Sequence, residues 1–299
     1  MKLLAFVALV LAMPLCHAQQ AASPAPAPKT VSVNGTTLTY LQQGSGTPVV
    51  FIHGSFSDHR IWETQRQAIS AHHQFIALTM RYFGTAPWSD DGQNYTQATQ
   101  VADVAAFVRS LGAGAVHVVG RSHGASIALG LTIEHPALVR ALFLNEPTAR
   151  MAVTDPADQK VLAEESKGLA VVAAAVREGN NNEATKQFYE WVHAQPGGFD
   201  DALSAEIRAV NLDNARTVPL QLNPRSAIPT TCEQLGKIKV PVTIVKGELT
   251  RPFFRIIAEA VTRCIPGAQL ITISGARHGA PSQNPVAFNE ALLTFLGRH

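Results

Sequence analysis

The chain predicts an α/β fold, a mostly parallel twisted sheet with helices on both faces, and three observations carry the prediction. Short β-branched apolar runs alternate with helical stretches through the first half of the chain. A corner, Gly120-Arg121-Ser122-His123-Gly124, joins one such run to the helix that follows it. A purely helical block then interrupts the alternation, after which strand and helix resume.

Residues 30–33 and 37–42 read as two strands joined through Asn34-Gly35, a pair that tolerates the positive φ of a tight hairpin. Residues 49–52, Val-Val-Phe-Ile, form a continuous apolar strand that leads into the loop His53-Gly54-Ser55-Phe56. A helix over 60–70 and a strand over 74–80 follow. Residues 95–111 place Val101, Val104, Ala105 and Val108 on one helical face. The strand at 116–119 enters the glycine-flanked corner, the helix at 125–131 leaves it, and 139–144 is the next strand. From 147 to 231 the pattern is helical, over 160–177, 183–193 and 202–210, with breaks at Gly179, Pro196-Gly197-Gly198 and Pro219. Such a block in mid-sheet is an excursion over the sheet's edge. The sheet resumes at 240–245, then a helix over 252–263, a strand over 269–273 and a closing helix over 286–296.

The chain has 299 residues, 46% apolar and 15% charged, which is ample for a large core. Net charge is +2 with scattered lysines and arginines, and no basic stripe points to nucleic acid. Lys2, an apolar run over 3–15 and Cys16-His17-Ala18 have the pattern of a cleavable export signal over 1–18, too short to span a bilayer comfortably. A lipoprotein signal ending at Cys16 is the alternative, ranked second because Met13-Pro14-Leu15 lacks the small residues it needs. The Ala/Pro-rich run over 19–28 reads as a tether. The expected division is then 29–146 for the first part of the core, 147–231 for a helical cap and 232–299 for the rest of the core. Export would leave Cys232 and Cys264, either as a disulfide or as two buried thiols.

A serine at a strand-to-helix corner stands clear of the sheet, above a helix N-terminus that favours developing negative charge. The corner, the His-Gly loop, the position of the helical block and a late histidine, His278, occur in an order that resembles the α/β-hydrolase superfamily. The resemblance covers everything from Thr30 to the C-terminus, in its serine-nucleophile, helical-cap branch. It implies Ser122 as nucleophile and His278 as base, with no cofactor. It also implies an oxyanion hole from the backbone amides of His123 and Ser55, with Phe56 as the nearby alternative. Family order places the acid at Thr250, which carries no charge. Two carboxylates remain: Glu146, at the tip of the preceding strand, is favoured over Glu248.

Phe56, Trp62 and Trp191, with Phe188 and Phe199, suggest an apolar pocket, although aromatics on cap helices are mostly cap core. Arg121 is expected to snorkel or to pair with a carboxylate, and the His123 ring either lines the pocket or packs away from it. His72-His73 resembles a metal pair only superficially, since no cluster of ligating residues accompanies it, and no metal is implied. The expected activity is that of an exported serine esterase or lactonase on a small-molecule ester. A C–C bond hydrolase holding a substrate carboxylate on Arg208 or Arg216, and a non-catalytic binding protein, are the alternatives.

Overall fold

The Asn34-Gly35 corner, with φ of 44° and 72°, turns β1 (Lys29–Val33) back onto β2 (Thr36–Gln43). The structure is a computed structural model and describes residues 26–88, 90–223 and 230–299. The expected export signal, Cys16 and most of the expected tether lie outside the described residues.

Beyond the hairpin come β3 (Pro48–Ile52), α1 (Glu63–Ser70), β4 (Gln74–Thr79), α2 (Gln97–Ser110), β5 (Val116–Arg121), α3 (His123–Glu134) and β6 (Val139–Asn145). The eight-stranded sheet has the order β1-β2-β4-β3-β5-β6-β7-β8, where β7 is Val242–Gly247 and β8 is Gln269–Ile273. Only the β1–β2 and β2–β4 pairings are antiparallel; the rest are parallel. The mostly parallel α/β architecture expected from the sequence is the one observed. Strand residues alternate between two buried layers. Val50, Ile52, Val118, Leu142 and Ile244 pack under α2, α3 and α11 (Pro252–Cys264). Val49, Phe51, Val119 and Phe143 pack under α1 and α13 (Pro285–Leu296).

Between β6 and β7 lie α4 (Pro156–Ser166), α5 (Ala170–Arg177), α6 (Asn181–His193), α7 (Gly198–Asp201), α8 (Ala205–Asp213) and α9 (Val218–Gln221). The continuous helix expected over 160–177 is broken by a 3-10 turn at Lys167–Leu169. Glycine suits the turn, because a Cβ on Gly168 would lie 2.7 Å from the Trp191 indole, whose Nε1 donates to Glu165 O. The helix expected from residue 60 begins as a 3-10 turn, His59–Trp62, because the Asp58 side chain caps it by accepting from Arg60 N at 3.0 Å. Two short helices, α10 (Cys232–Leu235) and α12 (Ala280–Gln283), complete the α-helices of the described residues.

Cys232 and Cys264 are bridged, with Cα atoms 5.0 Å apart, so α10 is tied to the end of α11. The two cysteines are 32 residues apart, and closing a loop of that size removes about 3–4 kcal/mol of unfolded-state freedom. Urea unfolding with and without reductant is expected to show a stability loss of that order. The Cys232→Ser/Cys264→Ser variant is expected to match the reduced protein.

Candidate functional site

Ser122 sits at the end of β5 with φ 54° and ψ −118°, a conformation that L-residues avoid and that the flanking glycines make feasible. A Cβ on Gly124 would lie 2.2 Å from His53 O, and one on Gly120 would lie 2.6 Å from Ala125 Cα. The corner is held by Ser122 N donating to Asn145 O at 2.8 Å. Its side chain opens into a cavity of about 410 Å³ between the sheet and α6–α8. The hydroxyl has no hydrogen-bond partner among the described residues.

His278 lines the same cavity, in the loop between β8 and α12. That loop crosses the end of β7 so closely that a Cβ on Gly247 would lie 2.2 Å from Arg277 O. Asn145 Nδ2 donates to His278 O at 3.0 Å, and Phe254 stacks on the ring at 3.8 Å between centroids. His278 Nδ1 lies 2.5 Å from Glu146 Oε2.

Glu146 ends β6 with φ 44° and is fully buried. Its Oε1 accepts from Gly247 N at 2.8 Å, and its Oε2 also accepts from Thr250 Oγ1 at 3.0 Å. Thr250, where the acid was expected by family order, thus donates to the Glu146 carboxylate. Glu248 is exposed and accepts from Ser274 Oγ and Gly275 N, with no contact to His278. Burial pulls the His278 pKa below its ordinary value against the raising influence of Glu146, so the ring is neutral near pH 7. A neutral imidazole that donates Nδ1–H to a carboxylate keeps a lone pair on Nε2, where it can accept a proton.

The His123 and Ser55 backbone amides beside Ser122 have no acceptor among the described residues. His123 N–H is the first of α3 and has no intrahelical acceptor. The Gly54 carbonyl is held by His53 Nδ1 at 2.8 Å and by Ser57 Oγ at 3.0 Å. A trans peptide is planar, so fixing that carbonyl on one side directs the Ser55 N–H to the other. His53 Nε2 in turn accepts from Met80 N at 3.1 Å, and burial lowers its pKa to about 4, so His53 is a neutral brace. The Phe56 amide likewise has no acceptor among the described residues.

Several expected pocket residues lie elsewhere. Trp62 is completely buried on the other side of the sheet, 5.1 Å from the Phe51 ring, so it belongs to the core and not to the pocket. Trp191 packs on Phe253 at 5.1 Å and under the Arg251 guanidinium at 4.3 Å, bracing α6 on α11 away from the cavity. Phe199 is buried against Tyr189. The His123 ring packs inward against Tyr95, and burial holds its pKa at about 4. Phe56 does line the cavity, 4.6 Å from Phe188, and is anchored in a small cluster with Val172, Ala184 and Val218.

The cavity wall from α6 is Phe188, Tyr189, Val192 and His193, three of which the sequence reading missed. Their i, i+3, i+4 spacing was a usable signal. Arg208 donates to Asp200 O and Leu203 O. Arg216 donates to Gly84 O and Ala86 O over the Trp88 ring. Neither lines the cavity. Arg121 does, and it pairs with no carboxylate among the described residues.

A profile of the alpha/beta hydrolase fold matches residues 47–285, most of the chain. The chain belongs to the alpha/beta hydrolase fold family. Within it, the chain is 31% identical to 2-hydroxy-6-oxo-6-(2'-aminophenyl)hexa-2,4-dienoic acid hydrolase of Metapseudomonas resinovorans over 118 residues, which is 38% of this chain and 40% of that one. It is 25% identical to the putative non-heme bromoperoxidase BpoC of Mycobacterium tuberculosis over 86% of this chain and 97% of that one. An esterase structure from Exiguobacterium antarcticum superposes with a TM-score of 0.72 at 20% identity, over 89% of this chain and 97% of that chain. These likenesses place the protein among hydrolases of the alpha/beta fold. Among the described residues no helix is long and apolar enough to cross a membrane.

Proposed function

We propose that the protein is a serine hydrolase that cleaves small or medium-sized carboxylic esters or lactones through an acyl-enzyme. The observation that carries this reading is the buried Glu146–His278 pair opening on the cavity that also holds Ser122 on its strained corner. In the first step Ser122 Oγ bonds to the carbonyl carbon and its proton passes to His278 Nε2. The amides of His123 and Ser55 take the oxyanion, and each such donor is commonly worth about 3 kcal/mol. The C–O bond to the leaving alcohol then breaks, and His278 delivers the proton to that oxygen. Water repeats the sequence on the acyl-enzyme: its proton goes to His278, its oxygen to the acyl carbon, and Ser122 regains its proton.

The Metapseudomonas relative favours C–C bond hydrolysis as a second reading. Arg208 and Arg216, which would have held a substrate carboxylate from the cap, are committed to backbone carbonyls instead. A non-catalytic role has lost its main support, because Glu146 supplies the carboxylate absent at Thr250. Export is part of the proposal. The pattern over 1–18 supports it, and so does the Cys232–Cys264 bridge, which an oxidising compartment would preserve.

The test is turnover of p-nitrophenyl acetate and butyrate as a function of pH. His278 must be neutral to act as base, and its pKa is lowered from 6.5 by burial, so the acid limb of kcat/KM is expected below pH 6.5 with a plateau above it. Absence of turnover across short esters and lactones by folded protein would overturn the proposal.

A further inference from the structure

Arg121 stands beside Ser122 in an unusual state. Its side chain lines the cavity, its Nε is enclosed without a hydrogen-bond partner, and no carboxylate pairs with it among the described residues. Other enclosed arginines are partnered: Arg66 pairs with Glu63, Arg81 with Asp103 and Arg251 with Glu165, and Arg216, whose Nε is likewise enclosed without a partner, donates from Nη2 to the Gly84 and Ala86 carbonyls. The nearest candidate counter-charge, Glu146, influences Arg121 electrostatically but spends its oxygens on His278, Gly247 and Thr250. A buried guanidinium without an anion is destabilising, and nothing in the fold uses this one. Across the cavity, Tyr189 offers a hydroxyl that also has no partner among the described residues and that interacts electrostatically with Arg121. Much of the remaining wall is apolar, including Phe188, Val192 and Ile207.

We propose that Arg121 is a substrate-recognition residue, and that the natural ester carries a carboxylate which its guanidinium receives, with the Tyr189 hydroxyl as a second donor. A planar fork of N–H donors suits a carboxylate, and one cation without a carboxylate partner, on a wall where Arg60 is already paired with Asp58 and Asp213, suits a single negative charge. The inference rests on the reading of Ser122 as nucleophile, because the ester carbonyl must sit at Ser122 while the anion reaches Arg121. The substrate class is then a half-ester of a dicarboxylic acid, or an ester or lactone bearing a free carboxylate.

The test compares mono-p-nitrophenyl glutarate with methyl p-nitrophenyl glutarate, two esters of the same acyl chain that differ in whether the far carboxyl is free. The wild type is expected to favour the free acid by about tenfold or more in kcat/KM, and Arg121→Gln is expected to erase that ratio. Arg121→Lys, which keeps the charge without the fork, is expected to keep part of it. A wild type that prefers the methyl ester, or a ratio unchanged in Arg121→Gln, would overturn the inference while leaving the esterase reading intact.

A second readout needs no turnover. Glutarate is expected to raise the melting temperature of Ser122→Ala protein and to lose that effect in Ser122→Ala/Arg121→Gln. A glutarate shift that depends on Arg121 in a protein inert towards both esters would keep the anion site and reject the esterase reading. No shift in Ser122→Ala, or one that survives loss of Arg121, counts against the site. Arg121→Met is also expected to melt higher than the wild type, since it removes an uncompensated buried charge; a lower melting temperature would assign Arg121 a structural role instead.

Discussion

Glu146→Gln is expected to lower kcat for a short ester by about 10³–10⁴-fold, with little change in KM. The amide keeps the shape; its oxygen can still accept from Gly247 N, and the Thr250 hydroxyl can rotate to accept from its NH₂, so the fold is expected to survive. What it removes is the negative charge beside His278 Nδ1. Without that charge the imidazolium formed during attack is no longer stabilised, and an amide that presents its NH₂ to Nδ1 holds the wrong tautomer. Glu248→Gln is the informative comparison. That carboxylate binds Ser274 and Gly275 on the surface, so turnover is expected to stay within about twofold. Circular dichroism and unfolding curves on both variants separate lost chemistry from lost structure.

Ser122→Ala is expected to remove at least about 10⁴-fold of kcat, the larger of the two losses. It deletes only the hydroxyl, and that hydroxyl has no hydrogen bond to lose. The alanine must still adopt φ 54°, a strain the native serine already bears, so stability is expected to change by less than about 1 kcal/mol. Any residual hydrolysis is expected to come from the free amides of His123 and Ser55 acting on a bound ester attacked by water.

The layered α/β order was legible because it is written in local signals. The continuous apolar strand ending at Ile52, the Asn34-Gly35 turn and the glycines around Ser122 each have a short-range physical cause. His278 and Glu146 were legible through their place in the order of elements. The role of Thr250 was not, because it depends on β6 and β7 bringing residues 146 and 250 within 3.0 Å. The aromatic pocket was misjudged for the same reason. Trp62 and Trp191 were picked for their residue type, but which way a side chain faces depends on how its helix is rotated against the sheet. On α6 that rotation turns Tyr189, Val192 and His193 to the cavity and Trp191 to α11. Arg121 was expected to pair or to reach solvent, and a lone buried cation is visible only once its neighbours are in place.

The proposed chemistry stands on Ser122 being a nucleophile made reactive by the buried Glu146–His278 pair. Treating the wild-type protein with a fluorophosphonate and mapping the adduct by peptide mass spectrometry tests it most directly. One adduct per chain is expected, on Ser122, formed much more slowly in Glu146→Gln and absent in Ser122→Ala. An adduct on another residue, or undiminished labelling of Ser122→Ala, would contradict it.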